Sequence, residues 1–244
     1  MHLAIDMGNT RIKAALFDGS TLRQTYRLSD WAALLPVVDE HAVTHAIVSS
    51  VGEPRQVRAL ARRLPIPLLV LDGTTPLPFV NTYETPATLG ADRLAAVAGA
   101  QQHFPGQNAL SIDAGTCITY DLIDQTGHYR GGLISPGVAM RLRAMHTFTA
   151  RLPLAEADNS PFDLTERNTV GALRGGAVGG AAAEINQMIR MYGDKFPDLR
   201  VVISGGDALL LINTVRPKQA VTVVPDLILI GLNRILQHYV QQNK

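Results

Sequence analysis

A six-residue pattern that occurs twice constrains this chain more than any other feature. Ile5-Asp6-Met7-Gly8-Asn9-Thr10 lies over Ile112-Asp113-Ala114-Gly115-Thr116-Cys117, 107 positions later. Each copy is a short apolar run ending on an aspartate, then one residue, a glycine and a polar residue. Each leads into an alternating apolar stretch, residues 11–17 and 118–123, the period of a strand. Each then reaches a second glycine turn, at Gly19 and at Gly127, the first of them a strong Asp-Gly hairpin signal. A unit that recurs in this order points to two similar lobes, residues 1–108 and 109–244, with the boundary near Asn108.

The remaining elements fill out each lobe. The first half predicts helices over 31–38, 54–64 and 91–103, strands over 46–48 and 67–71, and a proline-bearing loop over 74–88. The second half predicts a glycine-rich loop over 131–137, a helix over 138–147, a long Gly/Ala helix over 169–192 and a strand over 200–204. A short helix from Asp207, a strand over 221–224 and a closing helix over 227–240 complete it. Strands alternating with helices after each meander give an α/β class with mixed sheets. The glycines of the long helix, Gly171, Gly175, Gly176, Gly179 and Gly180, predict close helix packing.

Composition removes several classes. One cysteine, Cys117, excludes a disulfide framework within the chain and a cysteine-based zinc site. A net charge of +1 argues against a protein held on nucleic acid by general electrostatics. Asp6 comes too early for the apolar region of a signal peptide, and Pro225 and Asp226 break the apolar stretch 221–232 far short of a membrane span. We expect a cytoplasmic protein with no membrane or nucleic-acid partner. There is no G-x-x-x-x-G-K-[ST] and no G-x-G-x-x-G after a strand. His41 and His45 flank a predicted strand start and read as packing or surface histidines rather than a metal pair.

The paired turns carry chemistry of their own. A turn with glycine and Asn or Thr between two strands gathers backbone N–H groups into an anion nest. Gly8 and Gly115 permit close approach of a phosphate, and Asp6 and Asp113 place a carboxylate where a cation could sit beside it. Two such turns facing each other would clamp a polyphosphate. Lys13 on the first return strand directs its charge near the turn or is a solvated strand lysine. A buried strand running into Ser204-Gly205-Gly206 at a helix start lets a flat ligand or a phosphate lie against backbone, or is a plain strand–helix turn. In Gly90-Ala91-Asp92-Arg93, Asp92 either caps a helix or orients a substrate hydroxyl and accepts its proton, with Arg93 suited to a substrate carboxylate.

Together these segments resemble the type III pantothenate kinases, in the actin-like superfamily of acetate and sugar kinases. Residues 6–13 look like that family's first phosphate motif, Gly90-Ala91-Asp92-Arg93 like its substrate motif, residues 112–116 like its second phosphate motif and residues 203–206 like its nucleotide motif. The resemblance implies two actin-like (ribonuclease H-like) lobes, each a mixed sheet flanked by helices. It implies ATP-dependent phosphorylation of the primary hydroxyl of pantothenate to 4'-phosphopantothenate, the first step of coenzyme A biosynthesis. It makes Asp92 the base. It assigns ATP to Asp6, Gly8, Asn9, Thr10, Lys13, Thr116, Gly205 and Gly206, and pantothenate to Tyr83, Gly90, Ala91, Asp92, Arg93 and Thr169. Asp113 becomes a monovalent-cation ligand for K+ or NH4+, and Asp6 a Mg2+ site, direct or through water. A homodimer is expected. Cys117 and Ile118 stand where the family often has Ala and Thr. Two other readings are a transcriptional accessory protein that keeps the fold and a related kinase acting on a sugar, an acetate-like acid or polyphosphate.

Overall fold

The computed structural model describes residues 1–8, 12–50, 54–158, 160–214 and 219–243. The first half runs β1 (His2–Met7), β2 (Ile12–Asp18), β3 (Thr21–Leu28), α1 (Leu34–Glu40), β4 (His45–Ser50), α2 (Pro54–Arg63), β5 (Leu68–Val70), β6 (Val80–Asn81) and α3 (Ala91–His103). The second runs β7 (Ala109–Ala114), β8 (Cys117–Ile123), β9 (His128–Pro136), α4 (Val138–Thr147), α5 (Thr169–Lys195), β10 (Arg200–Ser204), α6 (Ala208–Thr214), β11 (Val221–Val223) and α7 (Leu227–Gln242).

The repeat seen in two turns extends through both sheets. One sheet has the order β3-β2-β1-β4-β5 and the other β11-β10-β7-β8-β9-β6. Leaving out β6, the strands of each half lie in the same sequence: third, second, first, fourth, fifth. The fourth strand is parallel to the first in both, β4 beside β1 and β10 beside β7. The central strands are buried on both faces, as consecutive Leu3, Ala4 and Ile5 and again Ala109 and Leu110 are fully buried, which fits sheets covered by helices on both sides. β3 alternates toward exposure because it is an edge.

Two compact units emerge: Met1–Gly106 with Ile123–Gly131 and Asp226–Lys244, and Gln107–Leu122 with Gly132–Pro225. This grouping differs from two consecutive blocks in that α7, last in the chain, packs in the first unit. The cause is a pair of glycines. A Cβ on Gly231 of α7 would meet Ala95 O of α3 at 1.8 Å, and one on Gly99 of α3 would meet Leu227 O at 2.5 Å. The two helices therefore touch backbone to backbone. Gly231→Ala is expected to destabilise the fold by about 3 kcal/mol, the upper range for overpacking a rigid site. A urea melt checks it, and an unchanged midpoint would contradict the close approach.

Two segments differ from the sequence reading. Residues 131–136 are not loop but the end of β9, because Gly132 lets that strand cross close to Tyr120, whose O a Cβ would reach at 1.7 Å. Three of the α5 glycines, Gly171, Gly175 and Gly179, face the preceding segment rather than another helix. Gly175 and Gly179 receive the ring of Phe162, which a Cβ on Gly179 would meet at 2.6 Å, and Gly171 lies against Glu166. Both neighbours come from the segment that precedes the helix. Among the described residues no helix is long and apolar enough to cross a membrane.

Candidate functional site

In the first unit the site is built at the end of β1. Asp6 lies opposite Lys13 of β2 and opposite Ser49 of β4, so both neighbours sit on the row of its own side chain. Ser49 Oγ donates to Asp6 Oδ1 at 2.9 Å. Burial pushes the Asp6 carboxyl above its ordinary value; Ser49 and Lys13 pull it down, and the charge of Asp92 pushes it up again. Asp92, 86 positions away in the chain, is thus within electrostatic reach of Asp6. Gly8 is exposed just beyond β1, and Asn9 and Thr10 lie outside the described residues.

Asp92 stands in the first turn of α3, whose N-cap is Gly90. Gly90 supplies no side-chain cap; a Cβ there would meet Asp92 Oδ1 at 2.4 Å, so its bareness leaves room for the carboxylate to fold over the helix start. Asp92 Oδ1 accepts from the Arg93 backbone N–H at 2.8 Å. The carboxylate is thus held by one oxygen against the positive end of the helix, and its Oδ2 accepts no hydrogen bond among the described residues. Ala91 and Asp92 are half-buried and Arg93 is buried. The Arg93 guanidinium carbon lies 5.5 Å from the centroid of the Tyr83 ring, a cation–π contact. The structure therefore sets Lys13 opposite Asp6 and Tyr83 against Arg93, and the charge of Asp92 reaches Asp6.

The second unit repeats the device at the end of β7. Asp113 lies opposite Ser204 of β10, and Ser204 Oγ donates to Asp113 Oδ1 at 2.9 Å. The aspartate–serine pair thus recurs on the same two strands of each sheet. The following turn is clasped by two glycines. Gly205, at φ +98°, passes so close that a Cβ would meet Ala114 O at 2.2 Å, and one on Gly137 would meet Gly115 O at 2.1 Å. No other residue fits against that turn without moving its backbone. Thr116 and Gly206 are exposed there, and Gly115 and Gly205 half-buried. Thr169 is exposed as the first residue of α5, whose start is capped by Asn168 Oδ1 accepting from Gly171 N–H at 2.7 Å.

Ser49 joins the residues picked out by sequence, and Ser204 and Gly137, already part of its motifs, gain their partners Asp113 and Gly115. A second repeat signalled two of them: Ala46-Ile47-Val48-Ser49 lies over Val201-Val202-Ile203-Ser204, apolar runs ending on serine 155 positions apart. Gly137 gives no such sign, since its neighbour is remote backbone. Among the described residues no three His, Cys, Asp or Glu side chains gather as a metal-ligand set. Asp6 fits a divalent cation shared with a phosphate. It is a hard oxygen donor with a second carboxylate near it and one lysine to balance the two. Asp113 supplies the equivalent oxygen donor in the second unit.

A family model described as type III pantothenate kinase matches residues 2–191. A protein of Bacteroides fragilis named type III pantothenate kinase is 44% identical over 241 residues, covering 98% of each chain. A Cytophaga hutchinsonii protein of the same name is 39% identical over 240 residues, covering 98% of this chain and 100% of its own. Among solved structures, a Baf family protein of Campylobacter jejuni, described as a transcriptional activator, superposes with a TM-score of 0.62 at 20% identity over 98% of this chain and 99% of that one. A ROK family glucokinase from Streptomyces griseus, solved with glucose and AMPPNP, superposes with a TM-score of 0.53 at 13% identity over 98% and 99% of the two chains. The last two likenesses concern the fold alone.

Proposed function

The chain belongs to the type III pantothenate kinase family, and from that premise we infer that it transfers the terminal phosphoryl group of ATP to the primary hydroxyl of pantothenate. The product is 4'-phosphopantothenate, and the reaction opens coenzyme A biosynthesis. What supports the mechanism is that the charge of Asp92, at the start of α3, is felt at Asp6, at the end of β1. Phosphoryl transfer asks the protein mainly for positioning and charge neutralisation. Asp6, Gly8, Asn9, Thr10 and Lys13 are the ATP contacts of the first unit, and Thr116, Gly205 and Gly206 those of the second. ATP would come with a divalent metal that neutralises phosphate charge, and Asp6 would hold it directly or through water. Asp92 accepts the proton of the hydroxyl as the oxygen attacks phosphorus. Gly90 and Ala91 line the acceptor site, Tyr83 and Thr169 contact the acceptor, and Arg93 pairs with its carboxylate.

A monovalent cation, K+ or NH4+, would be held by Asp113. The protein works in the cytoplasm as a homodimer, with no call on nucleic acid or membrane. The regulatory reading rests on one structural neighbour at 20% identity, whereas the curated relatives named as kinases are up to 44% identical. The deciding experiment is ATP-dependent turnover of pantothenate beside a panel of sugars and acetate-like acids, with and without potassium. Turnover of pantothenate alone, stimulated by potassium in wild type and not in Asp113→Asn, is expected. Turnover of a sugar instead would overturn the substrate, and equal stimulation in the variant would remove the cation from Asp113.

A further inference from the structure

Tyr83 is carried into the proposed acceptor site by a strand of only two residues. Its backbone is well tethered. β6 pairs with the start of β9 through Val80 with His128 and Asn81 with Tyr129. Val80 N–H donates to Gly127 O at 2.9 Å, Thr82 Oγ1 donates to Tyr129 O, and Tyr83 N–H donates to Asn81 Oδ1 at 3.0 Å. A tethered backbone still leaves a half-exposed tyrosine free to choose among rotamers.

The ring of Tyr129 removes that choice. Tyr129 is fully buried, and its ring lies nearly parallel to that of Tyr83, centroids 6.0 Å apart and planes 11° apart. Phe79, also buried, meets Tyr129 edge-on at 6.3 Å and 68°. The order is therefore Phe79, Tyr129, Tyr83, Arg93: two core rings, a half-exposed ring and a buried guanidinium. Each holds the next by an offset, edge or cation–π contact.

We propose that Tyr129 is a positioning residue for the acceptor: by stacking on Tyr83 it fixes that ring beside the guanidinium of Arg93. This rests on the reading of Tyr83 and Arg93 as pantothenate contacts and deepens it. Tyr129 touches no substrate itself. Its work is preorganisation, removing in advance the rotamer freedom that binding would otherwise have to remove.

The test compares Tyr129→Phe, which keeps the ring, with Tyr129→Leu, which does not, alone and combined with Tyr83→Leu. In Tyr129→Leu the KM for pantothenate is expected to rise about three- to tenfold, the scale of one lost aromatic pair. KM for ATP and kcat stay within about twofold. Tyr129→Phe stays near wild type in all three. Adding Tyr129→Leu to Tyr83→Leu should raise KM no further, because a residue acting through Tyr83 has nothing left to act on. Should the leucine variant not fold, Tyr129→Met, longer and still without a ring, takes its place. An unchanged pantothenate KM in the leucine variant overturns the proposal. So does a parallel rise in both KM values with a fall in kcat, the mark of general loosening, or a further full rise in the double variant. If Tyr83→Leu and Arg93→Ala also leave pantothenate KM unchanged, the acceptor reading itself falls and takes the proposal with it. If those two raise it and Tyr129→Leu does not, the reading stands and the proposal alone falls.

Discussion

Asp92→Asn is expected to lower kcat by about two to four orders of magnitude, the usual worth of a positioned general base. KM for ATP should change by less than about twofold, since the nucleotide contacts are elsewhere. The substitution is clean for a structural reason. The amide oxygen of asparagine can still accept from the Arg93 backbone N–H, the bond that now holds Asp92 Oδ1 at 2.8 Å. Gly90 leaves the same room for either side chain. The start of α3 therefore survives, and only the capacity to take a proton is removed. Single-turnover kinetics and a thermal melt check both halves of the statement. A variant retaining more than about a tenth of wild-type kcat would show that the hydroxyl proton leaves by another route.

The second large effect has opposite signs for activity and stability. Asp6→Asn should reduce turnover by at least about a hundredfold, the scale of losing one preorganised electrostatic group. It should also raise stability by about 1–2 kcal/mol, as removal of a strained functional group commonly does. Asp6 is a half-buried carboxylate, and desolvation is the main force raising its carboxyl above the ordinary 3.8. A carboxyl raised on folding contributes stability that is present below its unfolded value and lost as pH rises through its folded value. At neutral pH wild type therefore carries the full cost of the charge, and asparagine does not. Asparagine can still accept from Ser49 Oγ, so the pairing of β1 with β4 is undisturbed. Urea melts at pH 7 should show the variant the more stable; a lower midpoint would mean that Lys13 and Ser49 outweigh burial.

Much of the candidate site was legible because its parts are local. An apolar run, an aspartate, a glycine and a return strand occupy a dozen consecutive residues, and the strand period reports the rest. The same holds for the glycine that opens α3 and for the acid behind it. What escaped notice was held at long range. Ser49 meets Asp6 across 43 positions and Ser204 meets Asp113 across 91. The stretch 131–136 looked like loop because glycines are rare in strands, yet Gly132 is there because another strand's backbone passes over it. The α5 glycines showed helix packing to the eye, while the helix pair that does pack through glycine, Gly99 with Gly231, lies in two segments whose sequences say nothing of each other.

By itself the sequence determined the α/β class, the recurrence of a strand–turn–strand unit and the polar turns, all of which follow from periodicity and from residue types that dictate backbone conformation. The tertiary structure decided the order of strands in each sheet, which of those turns receive a serine, which unit α7 joins, and that a buried tyrosine of β9 lies parallel to the Tyr83 ring. Propensity is a property of neighbours along the chain. Burial, register and charge–charge approach are properties of neighbours in space, and they exist only once the sheets have formed.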